Sequence, residues 1–144
     1  MHRQALAVTA VVGVLLVACG GAGGGDSSGT SPTSSDGVTV LSPQDFQEVI
    51  AAGDPFLVNV HVPYEGEIEG TDAFIPFARV AENENVLPTD KNAPLYIYCR
   101  SGRMSAQAAI ALREVGYTNI VDLAGGMEGW MEAGLPIVTR SEGP

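Results

Sequence analysis

The chain has 144 residues, with 7 basic and 17 acidic side chains and a net charge of −10. That length allows one ordinary domain plus terminal segments, and an acidic surface argues against nucleic acid and against attraction to anionic lipid headgroups. His61 is the only histidine outside the N-terminal apolar segment, too little for a zinc site, and no metal or organic cofactor is expected.

Residues 1–18 read as a secretory signal. His2 and Arg3 give a short polar start, and residues 5–18 are an unbroken run of apolar and small side chains. The run is shorter than the roughly 20 residues of a spanning helix and gives way at once to glycine and serine. It closes on Leu16-Val17-Ala18-Cys19-Gly20, which resembles the bacterial lipobox, and that resemblance implies a diacylglyceryl group on Cys19. Two acyl chains suffice for stable anchoring. The expectation is an exported bacterial lipoprotein, held through its N-terminal lipid on the outer face of the cell membrane. Residues 19–37 follow as a lipid-anchored linker. Ala22 is the one hydrophobic residue between 20 and 37, so the segment is expected to be a flexible tether.

Residues 38–142 hold the domain. Val38–Leu41 reads as a short strand, and Ser42-Pro43 as a helix start with Ser42 as N-cap. Phe46, Val49 and Ile50 fall on one helical face, and Gly53 ends the helix. The apolar runs at residues 56–60, 95–99 and 119–123 predict buried strands. Residues 104–115 predict a helix with Met104, Ala108, Ala111 or Leu112, and Val115 inward. Residues 125–134 predict a short helix bounded by glycines. Residues 61–94 carry too many loop signals to assign. The acids Glu65, Glu67, Glu69 and Asp72 lack calcium-loop spacing and read as a solvated loop. Strands alternating with helices predict an α/β fold, in three layers, with a central parallel sheet and helices on both faces.

With Cys19 lipidated, Cys99 has no partner for a disulfide within the chain. It sits where a strand ends and a helix begins, in Cys99-Arg100-Ser101-Gly102-Arg103-Met104-Ser105. Ligands of such sheets bind outside the carboxyl ends of the strands. The amides after Cys99, the start of the next helix and the charges of Arg100 and Arg103 all favour a thiolate or a bound anion. Gly102 permits a tight cradle. Ser101 and Ser105 are placed either to donate hydrogen bonds or to cap the helix. These features point to Cys99 as a nucleophile, set against the plainer reading of a small buried hydrophobe.

The Cys99–Ser105 loop resembles the active loop of the single-domain rhodanese family of sulfurtransferases. Asp122-Leu123-Ala124-Gly125-Gly126-Met127-Glu128-Gly129-Trp130 resembles that family's C-terminal signature, and Gly66–Gly70 with Ile75-Pro76 faintly echoes a third motif. The likeness spans about residues 38–138. It implies that Cys99 is catalytic, taking a sulfane sulfur from thiosulfate or a similar small anion and carrying it as a persulfide to cyanide or a thiol. Residues 100–105 would bind the donor. The alternative is a non-catalytic rhodanese-like module at the cell envelope that binds sulfur or a partner.

The sequence departs from the family at Asn59-Val60-His61, where many members have Asp-Val-Arg, and at Glu67, where histidine is common. A phosphatase or arsenate reductase would need arginine six residues after the cysteine, where Ser105 stands. A redox role would lack a resolving cysteine within the chain.

Overall fold

The computed structural model describes residues 33–140 of the chain. The expected signal, Cys19 and most of the expected linker lie outside the described residues.

The elements are β1 (Thr33–Ser35), β2 (Val38–Leu41), α1 (Pro43–Ala52), β3 (Phe56–Asn59), β4 (Ala73–Phe74), a 3-10 helix (Phe77–Asn83), β5 (Leu95–Tyr98), α2 (Arg103–Glu114), β6 (Ile120–Leu123) and α3 (Gly126–Glu132). One six-stranded sheet has the order β1-β2-β6-β5-β3-β4. Every neighbouring pair is parallel except β1 with β2. The α/β fold with helices over a mostly parallel sheet is thus as expected. The antiparallel edge strand corrects the extent of the tether. Thr33–Ser35 lacks a buried side chain, but its backbone pairs with Val38–Val40.

Period-2 alternation along the strands divides the core. Val58, Ile97, Cys99 and Ile120 face α2 and the 3-10 helix, packing with Val80, Ala108 and Leu112. Leu57, Tyr98, Val121 and Leu123 face the other side, with Phe46 of α1 and Met127 and Trp130 of α3. Phe46 meets the rings of Tyr96 and Trp130 edge to face. Ser42 caps α1 as its sequence predicts, its hydroxyl accepting from the Asp45 N–H. Gly53 closes α1 in an extended conformation rather than a left-handed one.

The unassigned stretch 61–94 is ordered by long-range pairing. β4 is only two residues long and runs beside β3. Glu65, Glu69 and Asp72 in and beside the loop before it are exposed, as a solvated stretch requires, and Glu67 is the exception. Glu67 is buried and bound by Arg140 at 2.7 Å, and Asp72 accepts the Leu57 N–H. Asn59 occupies the place of the family's aspartate. Its side-chain amide donates to the Gly66 carbonyl while its oxygen accepts the His61 N–H. A neutral side chain here holds the 61–67 loop against the end of β3.

Candidate active site

β5 delivers Cys99 to the carboxyl end of the sheet, on the face that α2 covers. Its side chain is 1% exposed and forms no disulfide among the described residues. The chain then turns through Gly102, whose φ of 91° lies in the left-handed region that glycine tolerates. That turn points the Gly102 N–H at Cys99 Sγ, 3.0 Å away. The expectation that a backbone amide folds back on the sulfur is met at this one donor. Gly102 is also the N-cap of α2, without a side-chain cap, so neither Ser101 nor Ser105 caps the helix. Ser101 is exposed and makes no side-chain hydrogen bond among the described residues. Ser105 is fully buried, its hydroxyl donating to the Gly102 carbonyl at 3.2 Å and lying 3.6 Å from Cys99 Sγ.

A second element fixes the loop from outside. The first amides of α3 bind it, Met127 N–H donating to the Cys99 carbonyl and Glu128 N–H to that of Arg100, both at 2.9 Å. This approach needs glycine at 126, where a β-carbon would collide with the Cys99 and Arg100 backbone. Gly126 of the signature therefore serves the cysteine loop as well as its own helix.

A cleft of about 350 Å³ opens beside the sulfur, lined by His61, Phe77, Cys99, Arg100, Ser101, Arg103, Met104 and Gln107. Met104 and Phe77 also pack against the core below it. The two loop arginines differ. Arg100 is held by carboxylates on both sides, Glu128 at 2.9 Å and Glu65 at 3.1 Å. Hydrogen bonding to Glu128, with the charges of both acids, keeps its guanidinium protonated beyond its usual range. Arg103 has no ion pair among the described residues. Glu65 is also bound to His61 Nε2 at 2.8 Å. That hydrogen bond, followed by the charge of Arg100, draws its carboxyl below the ordinary range. An ionised Glu65 only accepts, so Nε2 donates.

Sequence reasoning passes over three residues here. His61 and Glu65 reach the site through the loop after β3, whose path no local signal gives. Asp122 sits in an apolar run, but the β5–β6 register places it beside Ile97 on the α2 face. It is 6% exposed, and its Oδ1 has no hydrogen-bond partner. Burial pushes its carboxyl up to about 6, which the Ser105 hydroxyl and the Leu123 N–H offset only in part.

Among the described residues no cluster of His, Cys, Asp and Glu is placed to hold a metal, and no helix is long and apolar enough to cross a membrane.

A buried cysteine at a strand end, an amide on its sulfur and a double-glycine helix clasping its loop define a class, and the comparisons agree. The rhodanese-like domain family matches residues 42–133, and the chain belongs to that family. A sulfurtransferase of Allochromatium vinosum is 35% identical over 96 residues, covering 64% of this chain and 86% of that protein. The Synechocystis protein slr1261 is 33% identical over 106 residues, and the match spans 72% of this chain but only 58% of that protein. Among solved structures, a rhodanese-related protein of Thermoplasma volcanium superposes with a TM-score of 0.59 at 30% identity, covering 70% of this chain and 98% of its own.

Proposed function

We propose that the protein is a sulfurtransferase in which Cys99 carries a sulfane sulfur from thiosulfate or a similar donor to a thiophilic acceptor. The observation that carries this reading is the Gly102 N–H on Cys99 Sγ at the head of an open cleft. With thiosulfate, the Cys99 thiolate attacks the sulfane sulfur. The S–S bond breaks, sulfite leaves with its electron pair, and Cys99–S–S⁻ remains. Cyanide then attacks the outer sulfur, thiocyanate leaves, and the thiolate is restored. A thiol acceptor takes the sulfur in the same way after losing its proton. A negative sulfur stands at the end of the cysteine in each resting state, and fixed backbone donors stabilise such charge without reorganising.

We also read the chain as an exported lipoprotein anchored through Cys19, on the strength of the apolar run and its Leu-Val-Ala-Cys ending.

Mass spectrometry after exposure to thiosulfate tests the chemistry. Cys99 should gain one sulfur and lose it to cyanide with release of thiocyanate. Cys99→Ser, nearly isosteric, should fold normally yet lose all transfer, because a hydroxyl carries no sulfane sulfur. A serine variant that still transfers sulfur would end this reading. An intact domain that binds sulfur but never turns over would leave the non-catalytic module in its place.

A further inference from the structure

Of the two loop arginines that line the cleft, only one, Arg103, is free of carboxylate partners among the described residues. One guanidinium, Arg100, stands between two carboxylates on different elements, Glu65 from the loop after β3 and Glu128 from α3. His61 Nε2 holds Glu65 in place from behind. With both acids ionised, the three groups together carry −1. Arg103 is left as the cation of the cleft wall without an ion pair among the described residues. The cleft also has an apolar part, made by Phe77 and Met104.

We propose that Glu65 and Glu128 set donor specificity, so that the cleft favours an organic hydropersulfide, with no further negative charge on its substituent, over an inorganic dianion. This rests on the Cys99 sulfur-transfer reading and names its donor class. A doubly charged donor meets twice the repulsion from the Arg100 cluster that a singly charged one meets. Its second charge has no unpaired cation beyond Arg103 among the described residues that line the cleft. An organic substituent gains instead by lying on Phe77 and Met104, whose surface offers a small dianion nothing. The Cys99 thiolate attacks the outer sulfur of R–S–SH, the R–S to S bond breaks, and the R–S⁻ leaving group takes up the proton of the transferred sulfur. The products are R–SH and Cys99–S–S⁻, with no outside oxidant or reductant.

The test measures kcat/KM on the purified full chain with thiosulfate and with hydroxyethyl hydropersulfide generated in situ. The wild type should favour the hydropersulfide. Removing one of the two carboxylates paired with the cleft-lining Arg100 should raise the thiosulfate-to-hydropersulfide ratio by about three- to tenfold. Glu65→Gln and Glu128→Gln should each show this, with a steeper fall of the thiosulfate rate on adding salt. Arg103→Gln should move the ratio the opposite way. Both glutamine variants leaving the ratio unchanged or lower, or a wild type that prefers thiosulfate, would overturn the assignment. Failure of the wild type to load Cys99 from either donor would instead overturn the sulfur-transfer reading beneath it.

Discussion

Asp122 lies on the same face of the sheet as Cys99, under the first turn of α2, and its carboxyl is raised from 3.8 to about 6 by burial. The sign of its effect follows from linkage. A group that holds its proton more tightly when folded contributes its full stability below the unfolded value and loses it as pH rises through the folded one. Between pH 3.8 and about 6 the unfolded chain releases this proton while the folded chain keeps it. The loss reaches about 3 kcal/mol by neutral pH, taking ~1.4 kcal/mol per unit. Asp122→Asn keeps the shape and removes the titration. Its urea midpoint, compared with that of wild type from pH 4 to pH 8, should pull ahead across that window and stay ahead above it. Parallel curves would mean that the carboxylate is solvated at no cost. Ser105 is buried beside it. Its hydroxyl lies within reach of both a raised carboxyl and the reactive sulfur, a position that neither a capping role nor a surface donor role would require.

At the scale of elements, the site is a joint between β5, α2 and α3, and Gly126 is where the joint closes. Its φ of 58° and the approach of the Cys99 and Arg100 backbone leave no space for a side chain. Gly126→Ala should cost about 2–4 kcal/mol, combining left-handed strain with displacement of α3. It should also slow sulfur loading at least tenfold, since the α3 amides that hold the loop carbonyls would move. Gly134→Ala is the control. Its φ of 79° is equally left-handed, but nothing lies within 4 Å of the added carbon. That change should cost only the strain, about 1–2 kcal/mol, and leave loading unchanged. Equal effects of the two would show that α3 does not brace the loop. The elements of this joint and their neighbours were legible in the sequence because each carries a local signal: apolar runs for β3, β5 and β6, helical apolar spacing over residues 104–115 for α2, Ser42-Pro43 for α1, and glycines around α3. The partners of the joint were not. β4 has two residues and no pattern to read, the 3-10 helix buries only Val80, and β1 has no inward side chain at all. Cys99 and its loop could be found from charge and strand-end position. The pairing of Arg100 with Glu65 and Glu128 could not, because it joins residues 35 and 28 positions apart through tertiary structure alone.

For the whole molecule, the question is how the proposed lipoprotein would hold an acidic domain at a membrane. Without residues 1–18 the chain has six basic side chains against 17 acidic ones, so its surface is repelled by anionic headgroups. Among the described residues no helix is long and apolar enough to span. In the lipoprotein reading, attachment falls to the proposed lipid on Cys19. A single acyl chain binds membranes only marginally, whereas two hold firmly at about 0.8 kcal/mol per buried methylene. The linker from residue 20 to the first strand at Thr33 has 13 residues, rich in glycine and serine. Cys19→Ala removes the lipid site and leaves the domain untouched. The variant should either appear in the soluble fraction after cleavage or accumulate as the longer uncleaved form, and its Cys99 should load sulfur at the wild-type rate in either case. A Cys19→Ala protein that sediments with membranes at the same mobility as wild type would show that something other than lipid on this cysteine holds the protein there.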